Sequence, residues 1–260
     1  MSKTILITGS TDGIGLLTAR QLVASGHTVL LHGRSTEKLA AAADQVGGAP
    51  KTYQADLSKM GDVQAMAEAI LADHERLDVL INNAGILKSP NPKTEAGRDI
   101  RFDVNTVAPY ILTKKLLPII PADGRIVNLS SAAQAPVDVS AMETYRPMGE
   151  MDAYAQSKLA ITIWTAGMAA ENPDGPAMIA VNPGSLLASK MVKEGFVVAG
   201  NDLNVGADIL IEAATGPGFA DASGKYFDND SGQFAPPHAA ASNPAQVNAV
   251  MKSLSTIAGM

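Results

Sequence analysis

Thr8-Gly9-Ser10-Thr11-Asp12-Gly13-Ile14-Gly15 follows directly on the apolar run Thr4-Ile5-Leu6-Ile7. A buried strand therefore runs straight into a turn with three glycines in eight residues. Glycine lets the backbone take φ > 0 and approach a ligand with no Cβ in the way. After Gly13 the spacing of Ile14, Leu16, Leu17, Ala19, Leu22 and Val23 switches to the helical period. That switch predicts a helix whose positive end and free N–H groups meet the turn. Strand, turn and helix together make an anion site fit for a phosphate, although the glycines alone also suit a tight turn that holds nothing.

The 260 residues fit one large α/β domain, and no linker or compositional shift divides them. With 46% apolar but only 4% aromatic residues, the core must be built from Ala, Val, Ile and Leu, the residues of buried parallel strands and their covering helices. Twenty basic against 26 acidic residues give a net charge of −6 without a basic cluster, which argues against a nucleic-acid partner. The absence of cysteine excludes disulfides, thiolate chemistry and cysteine metal sites. His27, His32, His74 and His238 stand far apart, so each reads as a surface or strand-end residue and no metal is expected. The first strand begins near residue 3 and no apolar run approaches membrane-spanning length, so the expectation is a cytoplasmic protein without a signal peptide or membrane anchor. Asn128-Leu129-Ser130 matches a glycosylation acceptor only formally, because it falls in an expected buried strand.

Strand-like runs recur at 5–8, 28–31, 51–55, 79–81, 125–129, 178–181 and 225–227, with helical patterns between most of them. The alternation implies right-handed crossovers and a doubly wound parallel sheet of about seven strands. The second strand ends at His32-Gly33-Arg34, where a dinucleotide fold brings the adenosine ribose to the strand tip. A carboxylate there would accept from the 2′-hydroxyl of NAD. Gly33 instead leaves room for a 2′-phosphate, and Arg34 can grip it with a charge-assisted fork. The next helix start, Ser35-Thr36, offers further N–H groups. NADP(H) is therefore the expected cofactor, with NAD(H) as the alternative.

Asp56, after the third strand, reads either as a turn residue or as an acceptor for the adenine amino group. Asn82-Asn83-Ala84-Gly85 ends the fourth strand with small residues that let backbone lie close to a flat ligand, while the asparagines satisfy the bent main chain. Ser130 and Ser131 end the fifth. Tyr154 and Lys158 are i and i+4 on one helix face, and an ammonium beside a phenol favours the phenolate. In open α/β sheets the carboxyl ends of the strands face one crevice, so these segments, the glycine turn and Val181-Asn182-Pro183-Gly184 converge.

From residue 4 to about 227 the chain resembles the short-chain dehydrogenase/reductase superfamily. The motifs that carry the likeness are Thr8-Gly9 with Gly13 and Gly15, Asn82-Asn83-Ala84-Gly85, Asn105, Ser131, Tyr154 with Lys158, and Pro183-Gly184. The resemblance implies a Rossmann-type fold and an NAD(P)-dependent oxidoreductase acting on a carbonyl or alcohol. It casts Tyr154 as the acid/base, Ser131 as the hydroxyl that holds the substrate oxygen and Lys158 as the residue that binds the nicotinamide ribose and lowers the tyrosine pKa. Asn105 becomes the asparagine that positions a relay water; from the residues alone, it equally suits a helix cap or kink. The cofactor site implied comprises Gly9, Ser10, Thr11, Asp12, Gly13, Ile14, Gly15, Arg34, Ser35, Asp56, Leu57, Asn83, Ala84, Gly85, Tyr154, Lys158, Pro183, Gly184 and Ser189. A homodimer or homotetramer is implied too, in contact through the helices around Asn105 and Tyr154.

The segment 132–152 between Ser131 and Tyr154 is longer than the family's usual spacing and is similar to that of retinol dehydrogenase-like members. It is expected to border the substrate. Its methionines, with Leu186, Leu187, Met191, Val192, Phe196 and Val197, suit an apolar lid for a lipophilic substrate or, equally, oligomer packing. The tail 232–260 extends beyond the recognised core and carries a helical pattern at Val247, Val250, Met251 and Leu254. It is expected to cover the site or to pack on a partner. Two other classes of function share parts of this pattern: a non-catalytic NADP-sensing protein, and an NAD-dependent nucleotide-sugar epimerase or dehydratase.

Overall fold

The computed structural model describes residues 2–188 and 200–260. One sheet is built from β1 (Thr4–Ile7), β2 (Thr28–Gly33), β3 (Thr52–Gln54), β4 (Val79–Asn82), β5 (Arg125–Leu129), β6 (Ala177–Asn182), β7 (Tyr226–Asp228) and β8 (Gln233–Phe234), in the order β3-β2-β1-β4-β5-β6-β7-β8. Strands β1 to β7 pair in parallel, with Ile5 opposite both Val29 and Val79. The order reverses between β1 and β4, which opens a crevice at the carboxyl ends of those two strands.

The expected seven strands gain an eighth. β8 turns back at Gly232 (φ 68°) and runs antiparallel to β7, pairing Phe227 with Phe234. Two residues are too few to show an alternation in sequence. Phe219, Phe227 and Phe234 hold this edge together, with ring centres 4.9 to 5.2 Å apart.

Alternation within the strands divides the core into two layers. Leu6, Leu30, Leu80, Ile126 and Met178 face one side. They meet α3 (Met60–Asp73), α4 (Ala108–Leu116), α6 (Glu150–Glu171) and α8 (Pro244–Ala258) there. Ile5, Ile7, Val29, Leu31, Val79, Val127 and Ile179 face α1 (Gly13–Ala24), α2 (Thr36–Val46) and α7 (Leu203–Thr215). A buried chain of amides and hydroxyls also crosses the first layer: Asn82 donates to Thr113 and to the Asn128 side-chain oxygen, and Asn128 donates to Thr165. Asn128 is fully buried, so the formal glycosylation acceptor is closed to modification. Among the described residues no helix is long and apolar enough to cross a membrane.

The extra segment and the tail both differ from expectation. Within 132–152, a short helix α5 (Val139–Glu143) buries Val137, Ala141 and Met142 in the core, and Met148 packs against it. Met142 is therefore core rather than lid. In the tail, α8 lies on α5 and α6 of its own chain, with Val250 and Leu254 fully buried. Met251 fits where Gly167 leaves α6 bare; a Cβ there would lie 2.8 Å from its sulfur. Gln246 donates to the Val137 carbonyl, and the Gln134 side chain accepts from the His238 amide.

Candidate active site

The glycine turn is shaped by close approach. Gly9 (φ 64°) lies against Ala84, where a Cβ would come within 2.9 Å of the Ala84 Cα. A Cβ on Gly15 would strike the Gly9 carbonyl at 2.4 Å and the Asn83 amide nitrogen at 2.5 Å. Asn83 donates to the Thr8 and Gly9 carbonyls, and the Thr8 hydroxyl accepts from the Ala84 amide, so the β4 loop holds the turn. Asp12 caps α1 through its backbone carbonyl, which accepts from Leu16. The amides of Gly13, Ile14 and Gly15 are the first-turn donors that a helix leaves without an internal acceptor, and no acidic side chain stands in that turn. Thr11 borders the turn. Ser10 is buried, with its hydroxyl and its amide both committed to the His32 backbone, so it braces the turn from behind.

Beyond the end of β2, Arg34 is exposed at a concavity of about 400 Å³, lined also by Gln54, Ala55, Asp56, Asp62 and Ala65. β2 runs on through Gly33, whose bare Cα receives the Thr11 methyl; a Cβ would lie 2.4 Å from it. The room expected there for a phosphate is thus taken by Thr11, and the missing side chain serves strand–turn packing. Ser35 caps α2, accepting from the Lys38 amide. Asp56 accepts from the amide and hydroxyl of Ser58 through one carboxylate oxygen, as the turn reading expects, and also lines the concavity. Leu57 turns its side chain into the core. His32, expected at a strand end, is buried among these loops, because both of its ring nitrogens find backbone partners.

The chemical groups gather across the crevice. Ser130 and Ser131 directly follow β5 and face opposite ways. The Ser130 hydroxyl is buried against α6, paired with the Lys158 carbonyl and Thr162, while Ser131 is half-buried and meets the Tyr154 phenol. The Ser131 carbonyl accepts from Gln134 and Tyr226, two residues that sequence spacing did not single out. Lys158 is buried, donates to the Leu129 carbonyl at 2.7 Å and stands over the Tyr154 ring, 5.6 Å from its centre.

Burial pushes the Tyr154 phenol above its ordinary value, and contact with Ser131 pulls it only partly back. This reverses the downward shift expected from Lys158. That ammonium is directed at a carbonyl, and desolvation itself lowers the amine to about 8. At neutral pH the pair is a protonated phenol beside an amine that loses its proton easily.

Asn105 sits in a π turn (Asp103–Val107), a widened turn of the kind that inserts an extra residue at special sites. Its side-chain oxygen accepts from the Ile86 amide. Its nitrogen donates to the Ile86 carbonyl and to Ser157, which in turn donates to the Tyr154 carbonyl. Asn105 thus links the β4 loop to the tyrosine helix. On the far side, Gly184 (φ 121°) follows Pro183, whose carbonyl accepts from Asn229, and Asp230 accepts from the amide and hydroxyl of Ser185. Leu187 is buried and Leu186 exposed, which splits the expected lid. Ser189, Met191, Val192, Phe196 and Val197 lie outside the described residues.

Comparison with known proteins agrees with the fold and with the family resemblance. The family model for short chain dehydrogenase matches residues 3–196. Retinol dehydrogenase 13 of Homo sapiens is 32% identical over 251 residues, covering 87% of this chain and 76% of that protein. An uncharacterised protein from Mycobacterium paratuberculosis superposes with a TM-score of 0.82 at 27% identity, over 99% of this chain and 94% of its own. A short chain dehydrogenase from Shigella flexneri, solved in complex with NADP, gives 0.68 at 27% identity over 87% and 96%.

Proposed function

Because the chain belongs to the short-chain dehydrogenase family, we propose that it transfers a hydride between NADP(H) and a lipophilic carbonyl or alcohol, with Tyr154 as the acid/base. The observation that carries this reading is the meeting of Tyr154, Ser131 and Lys158 across the crevice from a glycine turn with free helix-end amides. The residues present fit a nicotinamide dinucleotide. The helix-end amides of Gly13, Ile14 and Gly15 are open to the diphosphate, and Arg34 offers an exposed cation beside a concavity for the adenosine end. Pro183, Gly184 and Ala84-Gly85 present backbone where the flat ring would lie.

A bound nicotinamide supplies the hydride donor or acceptor. The protein supplies the proton and holds the oxygen. Ser131 donates to the substrate oxygen, and the neutral Tyr154 phenol delivers its proton as charge develops there, which suits carbonyl reduction at neutral pH. Lys158 stabilises the phenolate left behind and binds the ribose. Asn105 fixes the tyrosine helix and positions a water that re-supplies the proton. The likeness to a protein named for retinol supports a lipophilic substrate. The cysteine-free composition suits a cytoplasmic enzyme. A homodimer or homotetramer through the helices of Asn105 and Tyr154 belongs to the same proposal, on whatever faces α8 leaves open.

NADPH oxidation against a panel of aldehydes and ketones tests the proposal. Tyr154→Phe should lower kcat/KM by roughly 10²- to 10⁴-fold with NADPH affinity unchanged. Equal turnover by the variant and wild type would remove Tyr154 from its role.

A further inference from the structure

His32 is a buried titratable group that the mechanism above does not use. Its Nδ1 accepts from the Gly9 amide at 3.0 Å, so the ring proton resides on Nε2, which donates to the Ala55 carbonyl at 3.2 Å. One neutral imidazole thus bridges the two loops that border the nucleotide site, the glycine turn and the segment after β3. The main chain of His32 is tied to the same turn separately: its carbonyl accepts from the Ser10 amide and hydroxyl, and its amide donates to the Ser10 oxygen. Strand β2 is therefore docked without the ring. The ring adds a bond to one specific amide, at the left-handed Gly9 whose Cα touches Ala84.

We propose that His32 is a positioning residue of the nucleotide site, its neutral ring setting the distance between the phosphate turn and the adenosine-side loop, and its protonation releasing the turn. The proposal rests on the dinucleotide-cofactor reading. A second ring proton would set an N–H against the Gly9 N–H and leave two buried donors facing each other. Burial opposes that proton and lowers the imidazole to about 4. The charged groups facing it are Asp56, from the loop after β3, which favours protonation, and Arg34, beyond its own strand, which disfavours it. Tyr53, the register partner on β3, directs its phenol away to Asp73 and His74.

The test is calorimetric titration of the acid-stable oxidised nucleotides NADP+ and NAD+ from pH 8 to pH 3.5 with wild type, His32→Ala and His32→Gln, over the range in which far-UV circular dichroism is constant. Hydrogen exchange of the nucleotide-free proteins at pH 7 accompanies it. His32→Ala should weaken NADP+ binding roughly tenfold at pH 8. It should also speed exchange in peptides covering 6–15 and 54–58 and nowhere else. His32→Gln can accept from Gly9 and donate to Ala55, so it should keep wild-type affinity within about threefold at pH 8 and lack the roughly fourfold loss of affinity that wild type shows by pH 3.5 as His32 titrates. Exchange unchanged in His32→Ala, or an equal acid loss in His32→Gln, overturns the proposal. Wild type binding neither nucleotide overturns the cofactor reading and this role with it. Wild type binding while His32→Ala binds equally well overturns this role alone.

Discussion

The Lys158 ammonium lies over the face of the Tyr154 ring, 5.6 Å from its centre, and gives its hydrogen bond to the Leu129 carbonyl. The cation therefore acts on the phenol through space while bearing the cost of its own burial. Below pH 8, folded and unfolded chains both carry the charge. Between pH 8 and 10.5 the unfolded chain still holds a proton that the folded chain has released, so stability rises with pH across that window. The shift corresponds to about 3 kcal/mol. Lys158→Met should raise the urea midpoint above wild type at pH 7, with the gap closing toward pH 10.5, while abolishing turnover. A variant less stable than wild type at pH 7 would show that the amine stabilises the fold.

The proposed preference for NADP(H) rests on Arg34, which is exposed at the concavity beyond β2. A charge-assisted fork to a 2′-phosphate is worth about 1.5–3 kcal/mol. Arg34→Ala should weaken NADPH roughly 10- to 100-fold and NADH less than threefold, read by fluorescence titration. Equal losses for both nucleotides would retire the assignment.

Beneath Asn105, Arg101 forks onto Asp99, both nearly free of solvent contact, and Arg98 pairs with Asp103 at 2.6 Å. Removing one partner of such a pair strands a buried charge and costs about 3–5 kcal/mol. Arg101→Met should lower stability by that amount in urea melts, and adding Asp99→Leu should recover most of it. A double variant no better than the single would mean that the pair is not coupled.

The tail is expected to contribute stability rather than chemistry. Leu254 is fully buried in the layer that α8 forms with α5 and α6. Leu254→Ala should cost about 2–5 kcal/mol with kcat of the folded fraction unchanged. A fall in kcat at full folding would place the tail in the catalytic cycle.

The parallel sheet, its crevice and the strand-end motifs were legible because each is a local signal: apolar runs, glycine spacing, hydroxyls at a strand end. Long-range fit was not. Gly33 reads as open space for a phosphate in sequence, and only the turn folding back brings the Thr11 methyl onto it. His32 carries no pattern, since its two acceptor and donor partners lie 23 residues away on either side. The Tyr154 shift had the wrong sign because spacing shows the nearby amine but not the desolvation of the phenol. Tyr226 reaches Ser131 from β7, at a distance in sequence that no motif spans, and Gln134, three residues after Ser131, does so through a loop with no periodic pattern.

The hydrogen bonds from Gln246 to Val137 and from His238 to Gln134 join the stretch before the tyrosine helix to the chain's last residues. For anyone grafting substrate preference between relatives, those two stretches form one transplantable module. A chimera that exchanges the first without the second would leave an apolar floor with no matching roof, and its poor behaviour would say nothing about the substrate the graft was meant to select.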